Sequence, residues 1–323
     1  FIEAVQQDPD TSELHFALGN LFRRRGEFER AVRVHEHLLA RADLSSEDRD
    51  RARHALALDF LKAGLLDRAE VNLRQLTDTP LAGSALLALL SIYERSRDWV
   101  QAGEVAQQLS RQGEARFDTR QAHYLCEQAA SLGADQTTAR RQLLEQACAV
   151  APQAARPQLA LADLLEAQGD ARAALNQRLQ MAQNMPAMMP LLASGLARLA
   201  VQQQRVDEVQ ALLQTHAQAH PSLDVMEALV VLDQAKGVTD IQQRYATHLE
   251  KEPSMVAARL WLSHEPLQHE SHRGLLERAL ERAAAPLKRY RCAACGFEAQ
   301  QHFWQCPGCQ AWDSYPPRRV EEL

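Results

Sequence analysis

The sequence lacks several features that mark common classes of protein. It has no run of about eighteen uninterrupted apolar residues, which excludes a membrane span within these 323 residues. Nor do these residues contain a recognisable secretory signal peptide. Aromatic residues make up only 5% of the chain, and the formal charge of −6 gives no general attraction to nucleic acid or to a membrane surface. These absences argue against an integral membrane segment and a general nucleic-acid-binding protein.

Signatures of catalysis are also missing. No Ser/His/Asp grouping, glycine-rich phosphate loop or clustered pair of carboxylates stands out from this chain, which is rich in Ala, Leu and Arg. The twelve histidines are scattered. We interpret six of them as solvated or packed helix residues rather than ligands: His35, His37, His216, His220, His269 and His272. We therefore expect that the protein is not an enzyme.

Cysteine is distributed unevenly. Cys126 and Cys148 stand alone in amphipathic patterns, where a small buried apolar residue is the expected role. The other four cysteines form two C-x-x-C pairs near the C-terminal end. Because a scattered disulfide framework is lacking, the pattern indicates a reducing compartment, and we expect the chain to lie in the cytoplasm.

What the sequence does contain is a repeated helical pattern. Ala, Leu, Gln and Arg are abundant, and all four are good helix formers. A skeleton of small, large and turn residues recurs, most clearly in 18–38, 56–76, 89–109 and 161–186. The equivalent small residues are 38, 33, 37, 35, 35 and 32 positions apart: Ala31, Ala69, Ala102, Ala139, Ala174, Val209 and Ile241. This spacing resembles the tetratricopeptide repeat, whose period is about 34 residues.

The repeat has a physical basis. Two antiparallel helices need small residues where they cross, and a proline marks where the second helix cannot continue. We therefore expect an all-α solenoid of helical hairpins over residues 1–285, followed by a small metal-binding domain over residues 286–323. The first residues, FIEAVQQDPD, fit the second half of a repeat, with Phe1, Ala4 and Pro9 in equivalent positions. Since half a hairpin lacks its partner helix, we expect that residue 1 is not the natural start.

Two further helices are predicted at 255–263 and 267–284. The second has Leu275, Leu276, Leu280 and Ala283 on one face. Only a few residues separate it from the first C-x-x-C pair, which is too short a distance for a flexible linker. We expect the metal-binding segment to pack back on the repeats and to cover the end of the solenoid.

Residues 291–310, RCAACGFEAQQHFWQCPGCQ, carry the most specific motif. Each C-x-x-C pair can form a knuckle with backbone N–H groups pointing at the sulfurs, and the next residue often needs φ > 0, which suits Gly296 better than Gln310. Four thiolates suit tetrahedral Zn²⁺ or a single iron, and they leave no position for a catalytic water. We expect one zinc ion, with iron as the alternative. The predicted ligands are Cys292, Cys295, Cys306 and Cys309.

The residues around these cysteines allow two interpretations of each group. Aromatic side chains are dense here, and we expect them to form a small core, with an exposed docking patch as the alternative: Phe297, Phe303, Trp304 and Trp312. Basic residues are offset by acidic ones, which makes phosphate binding a minor alternative. The charged residues are Lys288, Arg289, Arg291, Arg318, Arg319, Glu298, Asp313, Glu321 and Glu322.

A helical solenoid offers a groove lined by the first helix of each repeat, which suits peptide or protein binding. An Asn with an Arg pair can clamp a carboxylate or an acidic segment. An ordinary solvated face is the alternative. In the first full repeat, four residues fall on the groove side in this register: Phe16, Asn20, Arg23 and Arg24.

The combination of repeats and a terminal knuckle resembles one family. The knuckles are similar to those of rubredoxin, although the intervening loop of ten residues is too short for a complete rubredoxin core, which favours a structural over a redox site. With LGNLFRRRGE (18–27) and YRCAACGF…WQCPGCQAW (290–312), the chain resembles the family of lipopolysaccharide assembly protein B along its whole length.

That resemblance implies a specific role. An N-terminal transmembrane helix, absent from these residues, would hold the repeats and metal domain on the cytoplasmic side of the bacterial inner membrane. The protein would act as an adaptor that promotes degradation of the lipid A pathway deacetylase by the membrane-bound AAA+ zinc protease. A lipopolysaccharide-sensing inner-membrane protein would oppose it.

Two other classes of function remain as alternatives. An iron-containing redox protein would give a red preparation with visible absorption, whereas a zinc-loaded one is colourless. A nucleic-acid-binding zinc ribbon would show steeply salt-dependent binding to RNA or DNA. We expect no nucleic acid partner.

Overall fold

The computed structural model describes residues 12–111, 116–265, 272–285, 287 and 289–323. They belong to two compact units, one up to Ala134 and one from Asp135 onward. The expectations at Phe1, Ala4 and Pro9 lie outside the described residues, as do those at His269 and Lys288. The described part of the first unit contains seven helices: α1 (Ser12–Arg24), α2 (Phe28–Leu39), α3 (Ser46–Ala63), α4 (Leu66–Arg74), α5 (Ala82–Ser96), α6 (Trp99–Arg111) and α7 (Arg116–Ser131).

The second unit is also helical and ends in a small β element. Its described helices are α8 (Thr137–Val150), α9 (Ala155–Ala167), α10 (Ala171–Asn184), α11 (Met189–Gln202), α12 (Val206–Ala219), α13 (Leu223–Ala235), α14 (Gln242–Lys251), α15 (Met255–His264) and α16 (Arg273–Ala284). Two short strands follow, β1 (Tyr290–Arg291) and β2 (Glu298–Ala299), and a 3₁₀ turn covers Val320–Glu322. The predicted all-α body with a small terminal metal-site fold is confirmed.

The turn inside the hairpin recurs at a fixed place in five of the repeats. Gly26, Gly64 and Gly169 have φ of +78°, +79° and +84°, and each lies five residues before a predicted crossing alanine. Glycine adopts this left-handed conformation without a steric penalty. In two other repeats the same position is held by Arg97 and Gln204, with φ of +57° and +55°. The turn geometry is thus conserved between repeats even where glycine is not.

Proline sets the end of the second helix in four places. Helices α8, α10, α12 and α14 each end two residues before a proline. The residue between the end of the helix and the proline has an extended φ close to −135° in every case. A proline ring disfavours the α conformation in the preceding residue, so each helix stops at the predicted position. The four prolines are Pro152, Pro186, Pro221 and Pro253.

The small residues lie where the hairpin helices pack together. Ala31, Ala69, Ala102 and Ala174 are all 0% exposed, as is Val209. Their burial agrees with the predicted repeat register at these five positions. Ile241 is also buried, whereas Ala139 is only half-buried. Cys126 is buried as expected, while Cys148 is only half-buried.

Replacing any of the four crossing alanines with leucine should destabilise its unit. The added atoms have no space between the helices, and overpacking typically costs about 1–3 kcal/mol. Denaturant unfolding would measure this change in Ala31→Leu, with Ala17→Leu on the exposed side of α1 as the control. Equal stability of the two variants would contradict the assigned crossing.

The last helix differs from the others. No residue of α16 is buried, and Leu275 and Leu276 are 58% and 47% exposed. The expectation that the metal-binding segment covers this end of the solenoid is therefore wrong for the described residues. Among the described helices, none combines the length and apolar character needed to cross a bilayer.

Candidate metal centre

The four clustered cysteines lie in two short hairpins of the same design. Strands β1 and β2 pair antiparallel, with Arg291 opposite Glu298, and flank the first C-x-x-C pair. A bridge between Gln305 and Trp312 flanks the second pair in the same way. We call residues 290–316 the ribbon. Its two hairpins present their cysteine turns to each other.

Each cysteine turn is held by the same two backbone hydrogen bonds. The N–H of Cys292 donates to the Phe297 carbonyl at 2.9 Å, and the N–H of Gly296 donates to the Cys292 carbonyl at 2.9 Å. In the second turn, Cys306 donates to the Ala311 carbonyl at 2.9 Å and Gln310 donates to the Cys306 carbonyl at 2.8 Å.

The residue that follows each pair is left-handed in both turns. Gly296 has φ of +78° and Gln310 has φ of +62°. Gln310 therefore adopts a conformation that disfavours side chains, because the knuckle geometry requires it.

The four sulfur atoms are placed to bind one metal ion. All four lie within 4.8 Å of one another. The Sγ atoms of Cys292 and Cys309 are 3.8 Å apart, and those of Cys295 and Cys306 are 3.7 Å apart. A tetrahedron with metal–sulfur bonds of about 2.3 Å has edges of about 3.8 Å. The donor set and its spacing thus fit a tetrahedral four-thiolate site, which zinc and iron can both occupy.

The pKa values of the cysteine thiols also favour a bound cation. Burial raises the pKa of the Cys292 thiol, but hydrogen bonds with Ser314 and with backbone N–H groups of Cys295 and Ala294 outweigh it and lower the pKa to about 6. The Phe297 N–H lowers the pKa of the Cys295 thiol, but burial and the neighbouring cysteines raise it to about 12. Four adjacent thiolates therefore need a positive charge between them.

The interior of the ribbon is formed mainly by two tyrosines that were not among the expected aromatic residues. Tyr290 and Tyr315 are both 4% exposed and pack with Ala299 and the buried cysteines. The Tyr315 hydroxyl donates to the Phe297 carbonyl at 3.2 Å, tying the last part of the ribbon to the first knuckle. Phe303 joins this core, as expected, but Phe297 is 44% exposed and lies over Gly308. The expectation of a core role is wrong for Phe297.

The ribbon is attached to the repeats by a buried cluster of ion pairs. Asp224, at the start of α13, is 5% exposed. Arg319 donates to its Oδ1 from Nε at 3.2 Å and from Nη2 at 2.8 Å, and Nη2 also donates to Glu227 at 2.9 Å. Arg289, just before β1, contacts the same Asp224 oxygen. These two arginines therefore bind the protein's own carboxylates.

The residues after the ribbon make the second set of contacts. We call residues 318–322 the tail. The Glu322 carboxylate accepts a hydrogen bond from the N–H of Leu223 at 2.5 Å, and so pairs the first backbone N–H of α13. Ser254, at the start of α15, donates to Glu321 at 2.8 Å. Leu191 of α11 packs against the ribbon core. The predicted packing of the ribbon on the repeats is confirmed, on α11, α13 and α15.

The burial of the Glu322 carboxyl makes tail docking pH-dependent. Burial raises the pKa of Glu322 above its ordinary value, as does nearby Asp224, while the Leu223 N–H, Arg318 and Arg319 oppose the rise. Because the pKa is higher in the folded state, this group contributes most to stability below its unfolded pKa. The contribution is lost as the pH rises through the folded pKa.

Glu322→Gln should remove this part of the pH dependence while keeping the oxygen that accepts from Leu223. Hydrogen exchange of the Leu223 and Val320 amides, corrected for intrinsic rates, would measure docking between pH 4.5 and 7. The variant should lose less protection than the parent as the pH rises. Glu298→Gln on the ribbon surface should behave as the parent, and equal slopes for all three proteins would refute the assignment.

The residues predicted to bind a partner fall into different environments within the first unit. Phe16 is 6% exposed and belongs to a core cluster with Leu38 and Leu44. Arg23 donates to the fully buried Asp59 at 2.8 Å and to the Ala55 carbonyl at 3.1 Å, and it also contacts Asn20.

The structure thus leaves one member of this set open to solvent. Arg24 is exposed, whereas Phe16 serves the core and Arg23 joins the first helices of two successive repeats. The binding role of this set stays a prediction.

Sequence reasoning missed the residues that position the ribbon. Tyr290, Tyr315 and Glu322 have no motif of their own, and Asp224 lies 95 residues before Arg319. One signal was available. Tyr290 and Tyr315 stand just outside the two cysteine pairs, where buried aromatic residues are needed to complete so small a core.

The comparisons with known proteins agree with both parts of the chain. The family described as rubredoxin metal binding domain matches residues 290–316, and the tetratricopeptide repeat family matches residues 14–51. Lipopolysaccharide assembly protein B of Haemophilus influenzae is 29% identical over 96% of this chain and 80% of its own length. The protein of the same name from Escherichia coli K12 is 30% identical over 99% of this chain and 84% of its own length. Shared along nearly the whole sequence, repeats and ribbon alike, this similarity shows that the chain belongs to the lipopolysaccharide assembly protein B family.

Proposed function

We propose that this protein is a non-enzymatic adaptor that controls lipopolysaccharide synthesis. It would bring the lipid A pathway deacetylase to the membrane-bound AAA+ zinc protease on the cytoplasmic side of the bacterial inner membrane. A lipopolysaccharide-sensing inner-membrane protein would oppose this activity. Family membership supports the link to lipopolysaccharide assembly, and the helical repeats supply the extended surface that an adaptor needs.

The observation that carries the proposal is the buried attachment of the ribbon to the repeats. Arg319 and Arg289 share Asp224, and Glu322 binds the first N–H of α13. A ribbon held in this way is a fixed part of a binding surface. Such a surface can hold two proteins in a defined relation, which is what delivery of a substrate to a protease requires.

We further propose that Cys292, Cys295, Cys306 and Cys309 bind one zinc ion in a structural role. The exposed Arg24 and its neighbour Asn20 are proposed to contact a partner in the first unit. Metal analysis of protein purified without chelators should find about one zinc per chain. A red, iron-loaded preparation would instead favour the redox alternative.

The test of the adaptor role is made in cells. In a strain that lacks its own copy, the natural full-length gene should restore rapid turnover of the deacetylase, measured as its half-life after synthesis is stopped. A variant with Cys306→Ser and Cys309→Ser should leave the deacetylase long-lived. Arg24→Glu should reduce crosslinking of the protein to one of its two partners, the deacetylase or the protease. Arg172→Glu on α10 serves as the control and should crosslink as the parent does. A deacetylase half-life that is the same with and without the gene would overturn the proposal.

A further inference from the structure

A cleft of about 640 Å³ lies in the second unit between helices α12 and α14. Its floor is the side of α13 that carries Met226 and Leu229. The volume falls within the range of about 300–1,000 Å³ that is typical of ligand pockets. The cleft is flanked by the second helices of two repeats, so it is distinct from the groove formed by the first helices.

Two buried polar atoms in the lining lack partners. Ser222 is 3% exposed and His248 is 5% exposed. Within the described part of the chain, neither Ser222 Oγ nor His248 Nε2 has a hydrogen-bond partner. A buried polar group without a partner is costly, so the arrangement favours a ligand that supplies one. Burial lowers the pKa of His248, so its ring is neutral at pH 7 and its Nε2 can act in a hydrogen bond with an uncharged group.

The Ser222 hydroxyl is unpaired although it stands at the start of a helix. Ser222 is the residue before α13, where a serine side chain normally accepts a hydrogen bond from the helix, yet it makes no such bond. Glu322 from the tail binds the first N–H of the helix, that of Leu223, whereas a serine at this position would pair the second or third. The Ser222 hydroxyl is therefore buried in the lining of the cleft with no partner from the helix or from the tail.

The walls of the cleft suit the backbone of an extended chain. Gln243, Thr247 and Lys251 follow one another at every fourth position of α14, which spans about 12 Å. Gln214 and Gln218 form the facing row on α12. Amide side chains both donate and accept hydrogen bonds, as peptide groups do. Four residues of extended peptide cover about 13 Å, which matches the length of the wall.

We propose that this cleft binds an extended peptide segment of a partner protein, with backbone groups paired to Ser222, His248 and the flanking glutamines, and an apolar side chain over Met226. This ligand is defined by its chemistry and does not depend on the identity of the partners named above. Lys251 places a positive charge at the Ser222 end of the cleft, and Asp240 places a negative charge at the opposite end. Bound segments should therefore carry an acidic group at the Lys251 end.

The probe for this proposal is a displayed library of random twelve-residue peptides. The full, metal-loaded chain serves as the target. Peptides that also bind the Thr247→Trp variant are removed, because this change fills the cleft from an exposed position of α14. Enriched peptides are then synthesised, and their Kd is measured by fluorescence anisotropy. Thr247→Trp should weaken binding by at least about tenfold, and Ser222→Ala by about five- to tenfold.

A second readout separates a ligand-binding role of Ser222 from a structural one. Ser222→Ala should leave the Tm unchanged or higher, because it removes an unpaired buried hydroxyl. Ser45→Ala is the matched control, since the Ser45 hydroxyl accepts from the Asp48 N–H at 3.0 Å at the start of α3. This control should lower the Tm and leave the peptide Kd unchanged.

Three results would overturn the proposal. The first is a library with no peptide that prefers the parent over Thr247→Trp. The second is a contrary outcome for Ser222→Ala, which would be either an unchanged peptide Kd or a loss of Tm as large as in Ser45→Ala. The third is enrichment of sequences with helical rather than extended periodicity.

Discussion

Replacing Cys306 and Cys309 with serine is expected to unfold the ribbon and to release the tail from helix α13. The ribbon core consists of little more than two tyrosines, one alanine and the cysteines themselves. Four-cysteine zinc sites in segments of this size supply about 10–16 kcal/mol of binding free energy, and folding depends on it. Without the metal, Arg319 and Glu322 lose the scaffold that holds them against Asp224 and Leu223.

Metal analysis and hydrogen exchange would measure this effect together. The double variant should fall from about one metal ion per chain to nearly none, and protection should drop at the start of α13 and of α15 as well as in the ribbon. Cys148→Ser is the matched control, because it changes a half-buried cysteine on α8. Unchanged protection at residues 223–230 would mean that the tail docks without a folded ribbon, contrary to the expectation.

Arg319→Ala should detach the tail while leaving the metal in place. The change removes both hydrogen bonds from Arg319 to the buried Asp224, and leaves that carboxylate with Arg289 alone. Removing one partner of a buried ion pair typically costs about 3–5 kcal/mol, because the remaining charge stays out of water. The loss should appear as faster exchange of the Val320 and Leu223 amides, at an unchanged metal content.

Arg291→Ala provides the comparison for this variant. Arg291 lies in the ribbon and pairs with Glu298 at 2.7 Å, but its side chain is 49% exposed. Exposed pairs contribute only about 0–1 kcal/mol, so this change should leave tail docking almost unaltered. If the two variants had equal exchange rates, the Asp224 cluster would not be what holds the tail.

Local rules were sufficient to predict the repeats. A glycine turn, a small residue five positions later and a terminating proline each act through contacts within one hairpin, so the pattern repeats visibly along the chain. The cysteine spacing was equally informative, because a knuckle is defined by neighbouring residues. The geometry at Gly296 and Gln310 shows that the knuckle dictates its backbone even where the residue is unfavourable.

Long-range pairing could not be predicted in the same way. Arg319 and Glu322 look like surface charges in a mixed run, and nothing near them in sequence indicates Asp224 or Leu223. Leu275 and Leu276 illustrate the reverse case, since their helical periodicity is clear but no described residue covers them. A periodic pattern indicates which side of a helix is apolar, whereas the identity of the neighbour depends on the whole fold.

The tail has a consequence for the order in which the chain is made. The carboxylate that starts helix α13 comes from Glu322, 99 residues after Leu223. During synthesis, α13 therefore leaves the ribosome with its first N–H unpaired and with Asp224 lacking both arginines. Because the ribbon is expected to fold only with its metal, we expect this part of the repeats to close after the ribbon has been synthesised and has bound the ion. We therefore expect a chain interrupted before residue 322 to retain an open start to α13 and to be cleaved there more readily than the parent.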